Sequence, residues 1–292
     1  MKLLAIDTSA TALSAAIVNE KGLLGGFALN TGKNHSLGLL PLLESLLHNA
    51  GLSLQDMDAF AVTIGPGSFT GLRIGLATAK AWGDATGKPL IGISSTDALA
   101  RAAGQEGYVC PLLDARRDQV YTALYRGGER LWPDLAIAPL ELAERLAELA
   151  EPVYCLGDGL APYEEELRQR LGQQLRPVQK ERQLVMASAA AMLGLEKYQR
   201  GEISAPETLL PVYLRLSEAE EKRLAAQAAA AAAEKVAPAE KIAAAEKIAP
   251  AEKIAPAEKT AEAEKAAAPL GAAPAPAETG DVCPDTAAPR ED

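Results

Sequence analysis

The chain has 292 residues, with 29 Lys and Arg against 39 Asp and Glu and a formal charge of -10. That length leaves room for two lobes with separate cores, and an acidic balance on both sides of residue 216 argues against unaided binding of nucleic acid through its phosphates. No apolar run approaches the ~18 residues of a membrane span, Asp7 cuts the stretch 3–6 too early for a signal-peptide core, and Cys110, Cys155 and Cys283 show neither CxxC nor Cys/His ligand spacing, so a cytoplasmic protein without a zinc site or a disulfide framework is expected.

Residues 2–7, 14–19 and 23–29 are short apolar runs bounded by polar residues or Gly, with Glu20-Lys21-Gly22 as a turn, and they predict a three-stranded meander. Over 36–50, Leu37, Leu40, Leu43 and Leu47 recur at helical spacing, with a kink expected at Pro41. An apolar strand over 59–64, a long helix over 70–86, a break at Lys88-Pro89 and a buried strand over 90–94 follow. A similar order then recurs: strands over 108–113 and 119–125, a weaker one near 129–132, an amphipathic helix over 140–149, a strand over 153–156, and helices over 161–171 and 184–198. A meander followed by alternating helix and strand, met twice, predicts an α/β chain of two RNase H-like lobes of βββαβα type, over residues 1–100 and 101–216. A doubly wound dinucleotide fold would begin strand-helix-strand instead.

From residue 217 the composition turns to Ala, Glu, Lys and Pro, with near-repeats at 245–250 and 251–256. A six-residue unit carrying one Ile supplies no solenoid face, so 217–292 is expected to be a low-complexity tail, disordered or partly helical.

The stretch from Gly65 to Gly75, GPGSFTGLRIG, lies between a predicted buried strand and a long helix. It lacks the Gly-Lys-Ser/Thr ending of a P-loop and the GxGxxG spacing of a Rossmann turn. Gly65 and Gly67 permit backbone angles that other residues resist, and Ser68 or Thr70 can cap the following helix. Along that helix Gly71, Gly75, Thr78 or Ala79 and Trp82 form a smooth stripe suited to close helix packing, either within the domain or against another subunit.

These motifs carry a resemblance. Leu4-Ala5-Ile6-Asp7-Thr8-Ser9, His35-Ser36, the Gly65 to Gly75 stretch, Asp114-Ala115-Arg116, Gly157-Asp158-Gly159 and Pro211-Val212-Tyr213-Leu214-Arg215 together resemble the TsaB family of the bacterial machinery that installs threonylcarbamoyl on tRNA adenosine, over residues 1–216. The resemblance implies an ASKHA fold and a non-catalytic subunit that heterodimerises with TsaD, the catalytic transferase, works with the ATPase subunit TsaE, meets tRNA only through the complex, and self-associates as a homodimer. It also turns the small-residue stripe outward, implying a partner interface built from Leu37, Leu40, Leu43, Gly71, Arg73, Gly75 and Ala79.

TsaD sequences hold their catalytic metal with an HxxxH pair after the strand that follows the Gly-Pro-Gly segment. Here Ser95 and Leu99 stand at those places, and Leu99 cannot ligate a metal. His35 and His48 are thirteen residues apart along the first helix and make a poor ligand pair. The resemblance therefore implies a metal on the partner only, no cofactor of this chain's own, and ATP or ADP at the shared interface. A weak nucleotide site would draw on Asp7, Thr8, Ser9, Asp114, Arg116, Gly157 and Gly159. The alternative for the same residues is that Asp114 ends a strand and Gly157 to Gly159 form a tight turn. Two rival functions belong to another class: a self-sufficient ATPase or phosphotransferase, and a metal-dependent glycopeptidase.

Overall fold

A computed structural model of the chain describes residues 1–32, 34–215, 222–223 and 226–227. The expectations for the tail from residue 217 fall almost wholly outside the described residues. In chain order the elements are β1 (Lys2–Asp7), β2 (Leu13–Asn19), β3 (Gly22–Leu29), α1 (His35–Ala50), β4 (Ala59–Gly65), α2 (Phe69–Thr86), β5 (Leu90–Ser94), α3 (Ser95–Ala103) and β6 (Tyr108–Asp114). There follow β7 (Val120–Thr122), β8 (Tyr125–Arg126), β9 (Glu129–Arg130), β10 (Leu135–Ile137), α4 (Pro139–Ala147), β11 (Val153–Leu156), α5 (Glu164–Leu171), β12 (Leu175–Pro177) and α6 (Met186–Gln199).

The first sheet has the order β3-β2-β1-β4-β5, and the second has β10-β7-β6-β11-β12 with a β8-β9 hairpin added to β6. Each is built alike: three strands joined antiparallel, then two parallel strands beside the first of them. This duplicated order is the ASKHA arrangement of two RNase H-like sheets.

Period-two alternation sets what each face of the first sheet buries. Leu4 and Ile6 of β1 join Phe60, Val62 and Leu90 against Leu39, Leu42, Leu43 and Leu46 of α1 and Leu76, Ala79 and Trp82 of α2. Leu3 and Ala5 face the other way, into a cluster with Ile91, Ile93, Leu99 of α3 and Ala187, Ala190 and Ala191 of α6; Val109, Leu113 and Tyr121 of the second sheet join the same cluster. Helix α6, expected in the lobe 101–216, thus lies on the first sheet. Its small residues make this possible, since a Cβ on Gly194 would stand 3.0 Å from that of Ala61. The far face of the second sheet packs Cys110, Leu112, Val153 and Cys155 on Leu142 and Leu146 of α4 and Leu167 of α5.

Several elements differ from the sequence reading. The third strand of the second meander is β10, and residues near 129–132 form only one arm of the two-residue hairpin β8-β9. The expected strand 119–125 is two strands, because β7 pairs with Leu112–Asp114 while β8 pairs with Tyr108 and Val109. Helix α3 and strand β12 had no counterpart, and α1 runs unbroken through Pro41. No helix among the described residues is long and apolar enough to cross a membrane.

Candidate partner-docking face and interlobe cleft

Strand β3 is the edge of the first sheet, and most of its side chains are exposed, Leu23, Leu24, Phe27 and Leu29 among them. Beside it, α1 turns Leu37 and Leu40 into solvent at 74% and 61% exposure. Between these elements lies a depression of about 730 Å³ whose walls include Leu13, Phe27, Leu29, Leu37, Pro41 and Leu42. Gly38 allows the close approach that shapes it, since a Cβ there would lie 3.2 Å from Leu13. Scattered exposed leucines need no explanation, whereas apolar side chains grouped on a sheet edge and the adjoining helix make this face a candidate interaction surface.

The expected interface residues divide sharply. Leu37, Leu40 and Arg73 are exposed, whereas Leu43, Gly71, Gly75 and Ala79 are buried against the chain's own sheet. The small-residue stripe of α2 faces inward, because it fits over the β1-β2 turn: a Cβ on Gly71 would come within 1.9 Å of Thr8 O, and one on Gly75 within 2.4 Å of Thr8 Oγ1. Thr8 Oγ1 donates to Gly71 O at 2.7 Å and seals the contact. The helix begins at Ser68, whose hydroxyl accepts from the N–H of Gly71, as the cap reading requires. The outward face of α2 instead presents Arg73, whose guanidinium lies 3.8 Å from the Phe69 ring centroid and donates from Nε to Tyr213 Oη at 3.0 Å. Phe69 and Tyr213 stack at 4.8 Å. Arg and aromatic side chains grouped in this way are the residue types over-represented among interface anchors. Sequence reasoning named Arg73 of this group but not its aromatic partners, because Tyr213 is 140 residues from Arg73 along the chain.

A second depression, about 430 Å³, opens between the lobes, with Ser9, Ser68, Thr70, Asp114, Arg116, Asp158 and Tyr213 among its lining residues. Of the expected nucleotide residues, Asp7 and Thr8 are buried and do not line it. Asp7 Oδ1 accepts from Ser9 N (3.1 Å), Ser9 Oγ (2.6 Å) and Thr63 Oγ1 (2.7 Å), so its carboxylate is bound internally. Burial raises the Asp7 pKa, against the opposing pull of those hydrogen bonds. A folded-state value above the ordinary 3.8 means that the native state holds the proton longer, so stability due to this group is lost as pH rises through the raised value. Asp7→Asn removes that dependence, and chemical denaturation across the acidic range should show wild type losing stability relative to the variant as pH increases. An opposite slope would contradict the assigned burial effect.

Asp114 ends β6 and pairs with Arg116 at 3.0 Å. Arg116, Arg117 and Asp118 follow in the left-handed region, at φ of 62°, 52° and 54°, an uncommon run for residues other than Gly. The strap 211–215 closes this end. Val212 N donates to Ile64 O at 2.7 Å, and Arg215 donates to Ala115 O at 3.1 Å, tying the Gly65 loop to the second lobe. Gly157 and Gly159 form a tight turn packed on the end of β6, in which Leu160 N donates to Gly157 O.

His35 Nε2 donates to Ala10 O at 2.8 Å, and His48 is exposed in the last turn of α1, so the two histidines stand at opposite ends of one helix. Ser95 and Leu99 are fully buried. Their neighbours are held by Arg130, which reaches Asp97 (2.7 Å), Ser94 Oγ (2.9 Å) and Asp134 (2.9 Å).

Comparison with known proteins identifies relatives along most of the chain. The family model described as "TsaD: tRNA N6-adenosine threonylcarbamoyltransferase" matches residues 24–269. The tRNA threonylcarbamoyladenosine biosynthesis protein TsaB of Bacillus subtilis is 35% identical over 233 residues, covering 78% of this chain and 100% of that protein. Its namesake from Escherichia coli is 31% identical, covering 76% of this chain and 98% of the relative. The solved structure of YeaZ from Pseudomonas aeruginosa superposes with a TM-score of 0.59 at 30% identity, over 73% of this chain and 99% of that one.

Proposed function

The chain belongs to the family that the threonylcarbamoyltransferase model describes and, within it, to the TsaB group of tRNA threonylcarbamoyladenosine biosynthesis proteins; from that premise we propose that it is a docking subunit, which binds the catalytic sister TsaD and raises its activity without performing chemistry itself. The observation that carries the reading is the apolar face of α1 and β3, with Leu37 and Leu40 mostly exposed to solvent. Leaving such residues in water gains nothing for a monomer. Covering them in a complex contributes about 1.5–3 kcal/mol for each large side chain fully buried. Arg73, Phe69 and Tyr213 supply a polar and aromatic rim on the same lobe.

A subunit of this kind activates by preferring one conformation of its partner, and the gain equals its difference in affinity for the two states. Nucleotide and metal chemistry belong to the complex and to the partner. In support, Asp7 is engaged by Ser9 and Thr63, and Leu99 lies in the core where a ligand would be needed. The formal charge of -10 supports contact with tRNA through the complex only. The same face serves self-association, so homodimer and heterodimer compete.

Titrating purified TsaD into this chain, followed by backbone hydrogen exchange on the complex, tests the reading. Slowed exchange concentrated in α1 and β3 is expected. A footprint on α4 and α5 with α1 and β3 unprotected would overturn it.

A further inference from the structure

The turn between β11 and α5 carries an acid that neither the fold nor the docking face requires. Asp158 reaches across the interlobe cleft to the β1-β2 turn, 147 residues away in sequence, where its Oδ2 accepts from the N–H of Thr11 at 2.9 Å and from the Thr11 hydroxyl at 2.7 Å. Its Oδ1 accepts from the N–H of Asp114, at the end of β6, at 3.1 Å. Two backbone N–H groups and a hydroxyl, from the β1-β2 turn of one lobe and the end of β6 in the other, therefore converge on one carboxylate. That is the donor set a small free anion would take, and hydrogen bonds to an ionised acceptor are the stronger kind.

The flanking glycines exist for this placement. A Cβ on Gly157, whose φ is +124°, would fall 1.8 Å from Leu112 O, and one on Gly159 would fall 2.9 Å from Asp114 N. With any side chain at either position the turn could not lie close enough to β6 for Asp158 to reach Asp114. The contact also divides space: Ala10, Thr11, Leu113 and Asp158 line both the cleft of about 430 Å³ and a second cavity of about 280 Å³ behind it.

We propose that Asp158 is a built-in anion, seated where the β1-β2 turn and the end of β6 point their donors, and that it ties the two lobes together across the cleft with no ligand present. The seat is filled from within, so the wild-type chain does not take up free phosphate there. The proposal is independent of the docking function and survives or fails without it.

Amide hydrogen exchange by NMR on the full chain tests it, with Asp158→Ala, Asp158→Asn and inorganic phosphate as the probe. In Asp158→Ala the Thr11 and Asp114 amides should exchange about tenfold faster, the loss expected for a hydrogen bond to a charged acceptor, while amides in the centre of β1 stay as slow as before. Added phosphate should slow both amides again in the variant and leave wild type unchanged. Asp158→Asn keeps the side-chain volume but leaves one acceptor oxygen where the carboxylate has two, so it should release the Thr11 or the Asp114 amide without disturbing packing. Unchanged exchange at both amides would overturn the proposal. So would a release that phosphate fails to reverse, equal protection of wild type by phosphate, or a loss of protection spread evenly along the chain in both variants.

Discussion

Replacing Leu37 and Leu40 together by glutamate should leave the chain folded and weaken its binding to TsaD by roughly a thousandfold, about 4 kcal/mol. The two side chains contribute little to the monomer, for both point into water at 74% and 61% exposure, and surface changes of this kind alter stability by about 0.5 kcal/mol or less. In the complex they become covered. Each glutamate then forfeits the apolar burial and brings in a carboxylate without a partner, which costs more than truncation alone. Calorimetric titration against TsaD gives the affinity, and a thermal melt gives the control. Full-strength binding by the double variant would remove α1 from the interface, and on the proposal that the same face serves self-association the variant should also run as a monomer.

The second large effect concerns stability and has the opposite pattern. Gly71→Ala should destabilise the chain by about 3 kcal/mol or more, because the new methyl would stand 1.9 Å from Thr8 O and neither helix α2 nor the β1-β2 turn can withdraw without breaking its own packing. For a body of this size that corresponds to a fall in Tm of about 6–12 °C. Ala77→Glu, on the exposed side of the same helix, should leave the melt within about 0.5 kcal/mol of wild type. The contrast separates two explanations of the small-residue stripe. A Gly71→Ala protein that melts like wild type yet fails to bind TsaD would return the stripe to the interface. Gly75→Arg cannot decide the matter, since its side chain would have to displace Thr8 before reaching any partner.

The first lobe was legible because its strands are long enough to show their pattern. Leu3 and Ala5 alternate with Leu4 and Ile6, and Ser68 stands where a helix must begin. In the second lobe, β10 and β12 are three residues each, too short for any period to register, and β12 has Leu175 as its one buried residue. Helix α3 went unread because its cap, Ser94, also ends the strand over 90–94 and no break separates the two elements.

Helical spacing tells which residues share a face and not what that face meets. Leu39, Leu42, Leu43 and Leu46 of α1 go to the sheet while Leu37 and Leu40 go to solvent, so the choice of Leu37, Leu40 and Leu43 took residues from both sides. The usable signal was that α1 is leucine-rich nearly all round, which in a surface helix calls for two covered faces. The reach of Asp158 to Thr11 and of Tyr213 to Arg73 depends on the closed tertiary fold, and no local pattern announces it.

The account stands on the claim that the chain contributes a surface and its partner contributes the reaction. Threonylcarbamoyladenosine formed in tRNA should be measured with this chain alone, with TsaD and the remaining components alone, and with all combined. The account predicts no product from the chain by itself and a gain in product on its addition that the Leu37 and Leu40 double variant fails to give. Product from the purified chain with no other protein present would contradict it.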